Sequence, residues 1–122
     1  MSLKQTQGVV RYALTSTANP ASFMGKVVGL NSSGTPALGS TFAAGVVVNT
    51  ERPLGSDALQ LDVALFGSGL VVDVQLASAI AVTTSDDAVY ADTSGTFCKT
   101  TGDIAAYPLA TAAAGSMVQA II

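Results

Sequence analysis

The side chains able to do chemistry are few and scattered. The chain has eight Asp and Glu, five Lys and Arg, one Cys and no His in 122 residues. Asp86-Asp87 is the only adjacent carboxylate pair, and Asp92 lies close behind it. Ca²⁺ wants several oxygens at one point, but this spacing fits no EF-hand loop and no Gly-Asp repeat. Consecutive strand residues point to opposite faces, so the pair suits a solvated turn better than shared acid–base work. Cys98 has no second Cys to pair with and no His to activate it, and it reads as a small strand or core residue. Without His there is no imidazole base, no His-based triad and no ordinary zinc or iron ligand set. Lys26 or Lys99 could activate a serine, yet nothing in the spacing selects one. Gly67-Ser68-Gly69 lacks the GK[ST] that follows in a phosphate loop. Asn31-Ser32-Ser33 matches a glycosylation sequon, but with no export signal it reads as a chance match. These side chains argue against an enzyme and call for no cofactor and no metal.

The rest of the composition describes what would carry such residues. Apolar residues make up 49%, aromatics only 6% and charged residues 11%, the last against about 25% in an average domain. Ala, Val, Gly, Ser and Thr dominate, and small or β-branched side chains suit a pleated sheet, so the expected class is all-β. A free monomer normally has roughly a quarter to a third of its surface charged. This chain cannot reach that, so part of its surface is expected to lie against copies of itself or a partner. Net charge is −3, with the bases scattered at Lys4, Arg11, Lys26, Arg52 and Lys99. No basic patch forms, which argues against nucleic acid. The first residues have no apolar h-region, and no apolar run reaches the ~18–20 residues of a membrane helix. Export and membrane binding are therefore not expected.

Residues 1–7 are polar and aperiodic and read as a flexible arm; residues 8–122 read as a single β domain. Gly8 to Leu14 predicts a first strand, with Val10, Tyr12 and Leu14 on one face. Phe23 to Leu30 predicts a second, weakened by Gly25 and Gly29. Phe42 to Asn49 is a third apolar run, and Thr50 to Asp57 is the most polar connection. Leu59, Leu61, Val63 and Leu65 alternate with polar and small residues, as do Leu70, Val72, Val74 and Leu76. Joined by Gly67-Ser68-Gly69, these two runs predict a central antiparallel hairpin, with Asp62 and Asp73 as solvated edge protection on its outer face. Ala105 to Ala114 could hold a short helix, limited by Pro108. Met117 to Ile122 is a closing strand.

The chain also repeats itself. Val28 to Thr35 (VGLNSSGT) and Val89 to Thr96 (VYADTSGT) share Val, Ser, Gly and Thr at a spacing of 61 positions. Each has the grammar of a strand, a turn that opens on Asn31 or Asp92 and closes on Gly34 or Gly95, and a second strand. With one residue of slip, Phe42-Ala43-Ala44 lines up with Ile104-Ala105-Ala106. Eight to ten short strands with closely spaced turns predict a small antiparallel β-sandwich or barrel, jelly-roll-like in outline.

The Gly8-Val9-Val10 opening with Tyr12, the Phe42-to-Thr50 run (FAAGVVVNT), the segment ending GLVVDVQL, the DAVYAD segment at Asp87 to Asp92, Gly95-Thr96-Phe97 and the small-residue close AAAGSMVQ at Ala112 to Gln119 together resemble the capsid decoration, or cement, proteins of tailed bacteriophages. The likeness spans most of the chain. It implies an all-β protein with no catalysis and no cofactor. Such a protein assembles as a homotrimer on the outer surface of the virion head and binds the phage major capsid protein between capsomers, after synthesis in the host cytoplasm. On that resemblance, shell contact is expected from the arm, through Leu3, Lys4, Gln5, Thr6 and Gln7, and from the polar loop, through Glu51, Arg52 and Pro53. A different class, a tip, fibre or adhesin module binding a host-surface glycan, would use aromatic platforms. Here Tyr12, Tyr90 and Tyr107 are far apart in sequence and there is no Trp.

Overall fold

The computed structural model describes residues 8–80, 88–99 and 104–122. Ten strands form two five-stranded antiparallel sheets. The first contains β1 (Val9–Thr15), β2 (Val27–Leu30), β3 (Pro36–Leu38), β4 (Gly45–Glu51) and β5 (Ala58–Leu65), in the order β1-β5-β4-β2-β3. The second contains β6 (Val71–Gln75), β7 (Val89–Ala91), β8 (Phe97–Cys98), β9 (Ala105–Pro108) and β10 (Met117–Ile121), in the order β6-β10-β9-β7-β8. The all-β sandwich or barrel expected from composition is present. A jelly roll interleaves its strands, whereas each sheet here comes from one contiguous half of the chain, and the two halves have the same strand order.

The registers show how closely the halves correspond. Val28 pairs with Gly45, and Val89 pairs with Ala106, both 61 positions on. Val9 pairs with Ala64, and at the corresponding crossing Val71 pairs with Ile121. The N–H of Leu65 donates to the carbonyl of Gly8, as that of Ile122 does to Leu70. The slip expected between Ala44 and Ala106 is absent, because Gly45 occupies the position equivalent to Ala106.

The repeated turns match in their bonds. The Gly34 N–H donates to the Asn31 carbonyl at 2.9 Å, and the Gly95 N–H to the Asp92 carbonyl at 3.2 Å. The Asn31 side-chain oxygen accepts from the N–H groups of Ser33 and Thr35, and Asp92 Oδ1 accepts from those of Ser94 and Thr96. Gly34 and Gly95 have φ of +77° and +92°, a backbone region that a Cβ penalises.

Each sheet encloses its own core. Val28, Val47, Leu59, Leu61 and Val63 fill the first, with Phe23 beneath them. Val74, Leu76, Val89, Phe97, Val118, Ala120 and Ile122 fill the second, which also takes in Val27, Val46 and Ala64 from the opposite face of the first sheet. The period-two alternation explains this: neighbours such as Val46 and Val47 face different cores. Burying each such Val contributes about 1.5–3 kcal/mol, so the two halves are joined by apolar burial as well as by the chain. Leu76 makes a parallel bridge to Phe97, which brings the two edges of the second sheet together and curls it.

Four expectations are corrected. The runs ending at Leu65 and beginning at Val71 do not pair with each other, so there is no central hairpin. β1 pairs along β5 and β10 along β6, while Gly67, at φ +83°, donates its N–H to Ile122 and turns the chain from one sheet to the other. Asp62 consequently lies on an inner strand of its sheet, while Asp73 does stand on an edge strand. The predicted strand from Phe23 begins only at Val27, because Pro20–Phe23 form a 3-10 turn capped by the Asn19 side chain. Gly25 then takes φ +74°, where an added Cβ would meet Met117 at 2.6 Å. Ala105–Pro108 is a strand and not a helix: Ala106 and Pro108 point inward and Tyr107 outward, and pairing to β10 overrides the helical preference of Ala.

Candidate functional site

The expected contact residues separate. Leu3, Lys4, Gln5, Thr6 and Gln7 lie outside the described residues, as do Asp86 and Asp87. Glu51 is the last residue of β4 and not part of the loop. It is exposed, 3.5 Å from Arg11 Nη2. Arg52 turns inward: its Nη2 donates to the carbonyls of Ser16 at 2.6 Å and Ala18 at 2.9 Å, so it pins the segment after β1. Pro53 is exposed, and Leu54 beside it stands fully in solvent. The contact expected from this loop names Glu51, Arg52 and Pro53 and leaves out Leu54, the most exposed apolar side chain in it. The structure thus brings Glu51, Arg52 and Pro53 to one end of the first sheet, but commits the Arg52 guanidinium to the protein's own backbone.

The ionised groups form two local networks. On the outer face of the first sheet, Arg11 Nε donates to Asp62 Oδ1 at 2.8 Å and Nη1 donates to Gln60 Oε1 at 2.7 Å. The hydrogen bond from Arg11 holds the Asp62 carboxyl below its ordinary range, with Asn49 Nδ2 helping, against a partial burial that works the other way. The same bond raises Arg11. In the β7–β8 turn, partial burial pushes the Asp92 carboxyl up. Hydrogen bonds from the Thr96 and Ser94 hydroxyls and backbone N–H groups outweigh it, leaving the group below its usual value. Both networks surround their carboxylates with donors and hold Asp62 and Asp92 below the ordinary carboxylate range. Cys98 sits half-buried on β8, 3.5 Å from the Tyr90 carbonyl, as a strand residue. Among the described residues no group of three His, Cys, Asp or Glu converges, and no helix is long and apolar enough to cross a membrane.

A cleft of ≈ 350 Å³ runs between the sheets, lined by Val9, Met24, Val48, Ala64 and Val71 among others, with Asp73 its sole titratable group among the described residues. One carboxylate in an apolar groove has no partner for acid–base work.

The surface holds more than the clefts. On the outer face of the second sheet Val71 pairs with Ile121, and Ile121 with Tyr107, so the three stand in a row across β6, β10 and β9. Each keeps a large share of its area in solvent: 51% for Val71, 38% for Ile121 and 50% for Tyr107. Leu109 and Met117 are exposed as well. A second apolar patch lies at the edge of the first sheet, where Leu30 and Leu38 are exposed. Of the three tyrosines, Tyr90 and Tyr107 share the outer side of adjacent strands despite their separation in sequence, while Tyr12 packs on the first core. The signal for the outer row was present in the β10 alternation.

Compared with protein-family models, with curated proteins and with solved structures, the chain gives no match.

Proposed function

We propose that the protein is a structural component of a tailed-phage virion, a decoration protein that sits as a homotrimer on the outside of the head and joins neighbouring major-capsid-protein subunits. The observation that carries this reading is the row Val71, Ile121 and Tyr107, large apolar side chains standing in solvent on a chain with only 11% charged residues. A face of that kind suits burial against protein. The resemblance in sequence supplies the capsid as partner. The two satisfied carboxylate networks and the apolar cleft favour a scaffold over an enzyme.

The mechanism is stapling. A trimer that touches several shell subunits turns each later contact into an intramolecular one, so weak contacts multiply through effective concentration. Loss of self-association therefore costs more shell stability than loss of any single contact. The polar segment from Glu51 to Pro53, with Leu54 at its tip, is the contact offered to the shell, and the arm at Leu3 to Gln7 is the second.

The test is co-sedimentation of purified protein with undecorated expanded heads, followed by heating. Bound protein that raises the temperature of head rupture supports the reading, and heads that rupture at the same temperature with and without it refute it. The adhesin alternative gains one observation, the shared face of Tyr90 and Tyr107. Binding on a glycan array with no affinity for heads would select it.

A further inference from the structure

The corresponding surfaces of the two halves are treated differently within one chain. In the first half the outer row Val9, Ala64 and Val46 is largely covered: Val46 and Ala64 are 0% and 1% exposed and pack into the core of the second half, beside Val27, with Val9 half-buried at its end. The equivalent row in the second half is Val71, Ile121 and Tyr107, and nothing among the described residues covers it, although Val71 also borders the cleft between the sheets. The inner side differs in the opposite sense. Val72, Val74 and Leu76 of the second half are 8%, 0% and 1% exposed, because the outer row of the first half closes the open side of that sheet. Their equivalents Val10, Tyr12 and Leu14 stay only half-buried, and Leu30 and Leu38 on the same open side are exposed. The molecule therefore has one filled contact, outer row of the first half into open side of the second, and one copy of each surface left over.

We propose that the two leftover surfaces fit each other between copies of this chain: the Val71, Ile121 and Tyr107 face of one protomer covers the Tyr12, Leu14, Leu30 and Leu38 opening of the next, repeating between chains the contact that joins the halves within one. The occupant is a second copy, because the chain itself shows which kind of surface closes such an opening. The contact is heterologous, since different patches meet on the two sides. Repeated, it closes a ring when the rotation permits. The inference names the self-contact that the decoration reading requires, and it rests on that reading for the number of copies, three. A ring of three would then contain six similar half-units in sequence.

The test uses two exposed positions, one on each side. Tyr107→Asp spoils the outer face, and Leu38→Asp spoils the opening. In sedimentation velocity the wild type is expected as a closed trimer and each variant alone as a monomer. Mixed at high concentration, the two variants form a one-to-one dimer and nothing larger, because the pair has one intact face and one intact opening. Circular dichroism melts confirm that each variant is folded. Val71→Ser and Leu30→Ser, milder changes at exposed sites, replace any variant that is not. A wild-type monomer, a Leu38→Asp variant that keeps the wild-type mass, or a mixture that stays monomeric overturns the inference. If both variants remain trimers that bind heads, this contact is wrong while the decoration reading stands. If the wild type neither self-associates nor binds heads, the decoration reading fails as well.

Discussion

The first half turns the row Val9, Ala64 and Val46 against its neighbour, while the second turns Val71, Ile121 and Tyr107 to solvent. The strand order is the same, and the residues have diverged with the burden each row carries. Where the row is covered within the chain it is made of Val and Ala, which let a second sheet approach closely. Where it is open it carries Ile and Tyr, with more area to bury. The same divergence appears between β4 and β5. Gly45 lies where a Cβ would come within 2.0 Å of the Ala64 carbonyl, while its equivalent Ala106 holds a Cβ in the core without difficulty. A repeated fold thus fixes the frame, and packing demands decide the side chains separately in each half.

Substitutions can test that comparison. The largest effect is expected at Phe97, fully buried in the second core with its ring edge-on to Phe66 at a centroid distance of 6.4 Å. Phe97→Ala should cost about 3–5 kcal/mol in denaturant unfolding. A loss below that range would mean the second core depends less on its one fully buried ring than the burial implies. Next comes Gly45→Ala, expected to cost about 1–3 kcal/mol from backbone overpacking. The converse change Ala106→Gly should cost about 1 kcal/mol, from chain entropy and one lost methyl. Equal effects in both directions would erase the claimed difference in sheet spacing.

The two turns give a smaller and cleaner contrast. Asp92 accepts from two hydroxyls as well as two backbone N–H groups, whereas Asn31 accepts only from the N–H groups of Ser33 and Thr35. Asp92→Ala should cost about 1–2 kcal/mol, kept low by partial solvation, and Asn31→Ala about half as much. Only the Asp92 turn titrates. Its carboxyl lies below the unfolded value near about 3.9, so its stabilisation is full above that pH and is lost as pH falls through the folded value. Asp92→Asn should flatten that part of the acid limb of a stability-versus-pH curve, and an unchanged limb would contradict the assignment. The smallest effect belongs to the exposed Arg11–Asp62 pair. Arg11→Ala should lower the melting temperature slightly at low salt, and the difference should vanish at high salt, where screening removes the attraction.

Much of the frame was legible in the sequence, because period-two alternation and Asx–Gly turns are local signals. Leu59 to Leu65 and Val71 to Gln75 are strands as read, and both VxxNSSGT-like turns close as their first and fourth residues predict. What could not be read is which strand pairs with which. Gly67-Ser68-Gly69 has the composition of a hairpin turn, yet the partners of β5 and β6 arrive from Val9 and Met117, far away in the chain. Pairing is a competition among all strands, and a local turn signal holds no information about its outcome. The helix expected near Ala105 fails for the same reason, since Ala propensity is weak beside an open edge of β10. Among site residues, Arg52 reads as a free charge in sequence but is spent on two backbone carbonyls that only the fold brings near.

On the proposed contact, this ion-poor two-sheet molecule works by being covered, with its open outer row closed by another copy. Sedimentation of the wild-type protein beside Tyr107→Asp tests it most directly. A three-chain species is expected for the wild type and a folded single chain for the variant. A wild type that runs as a single chain, or a variant that runs with the wild type, would contradict it.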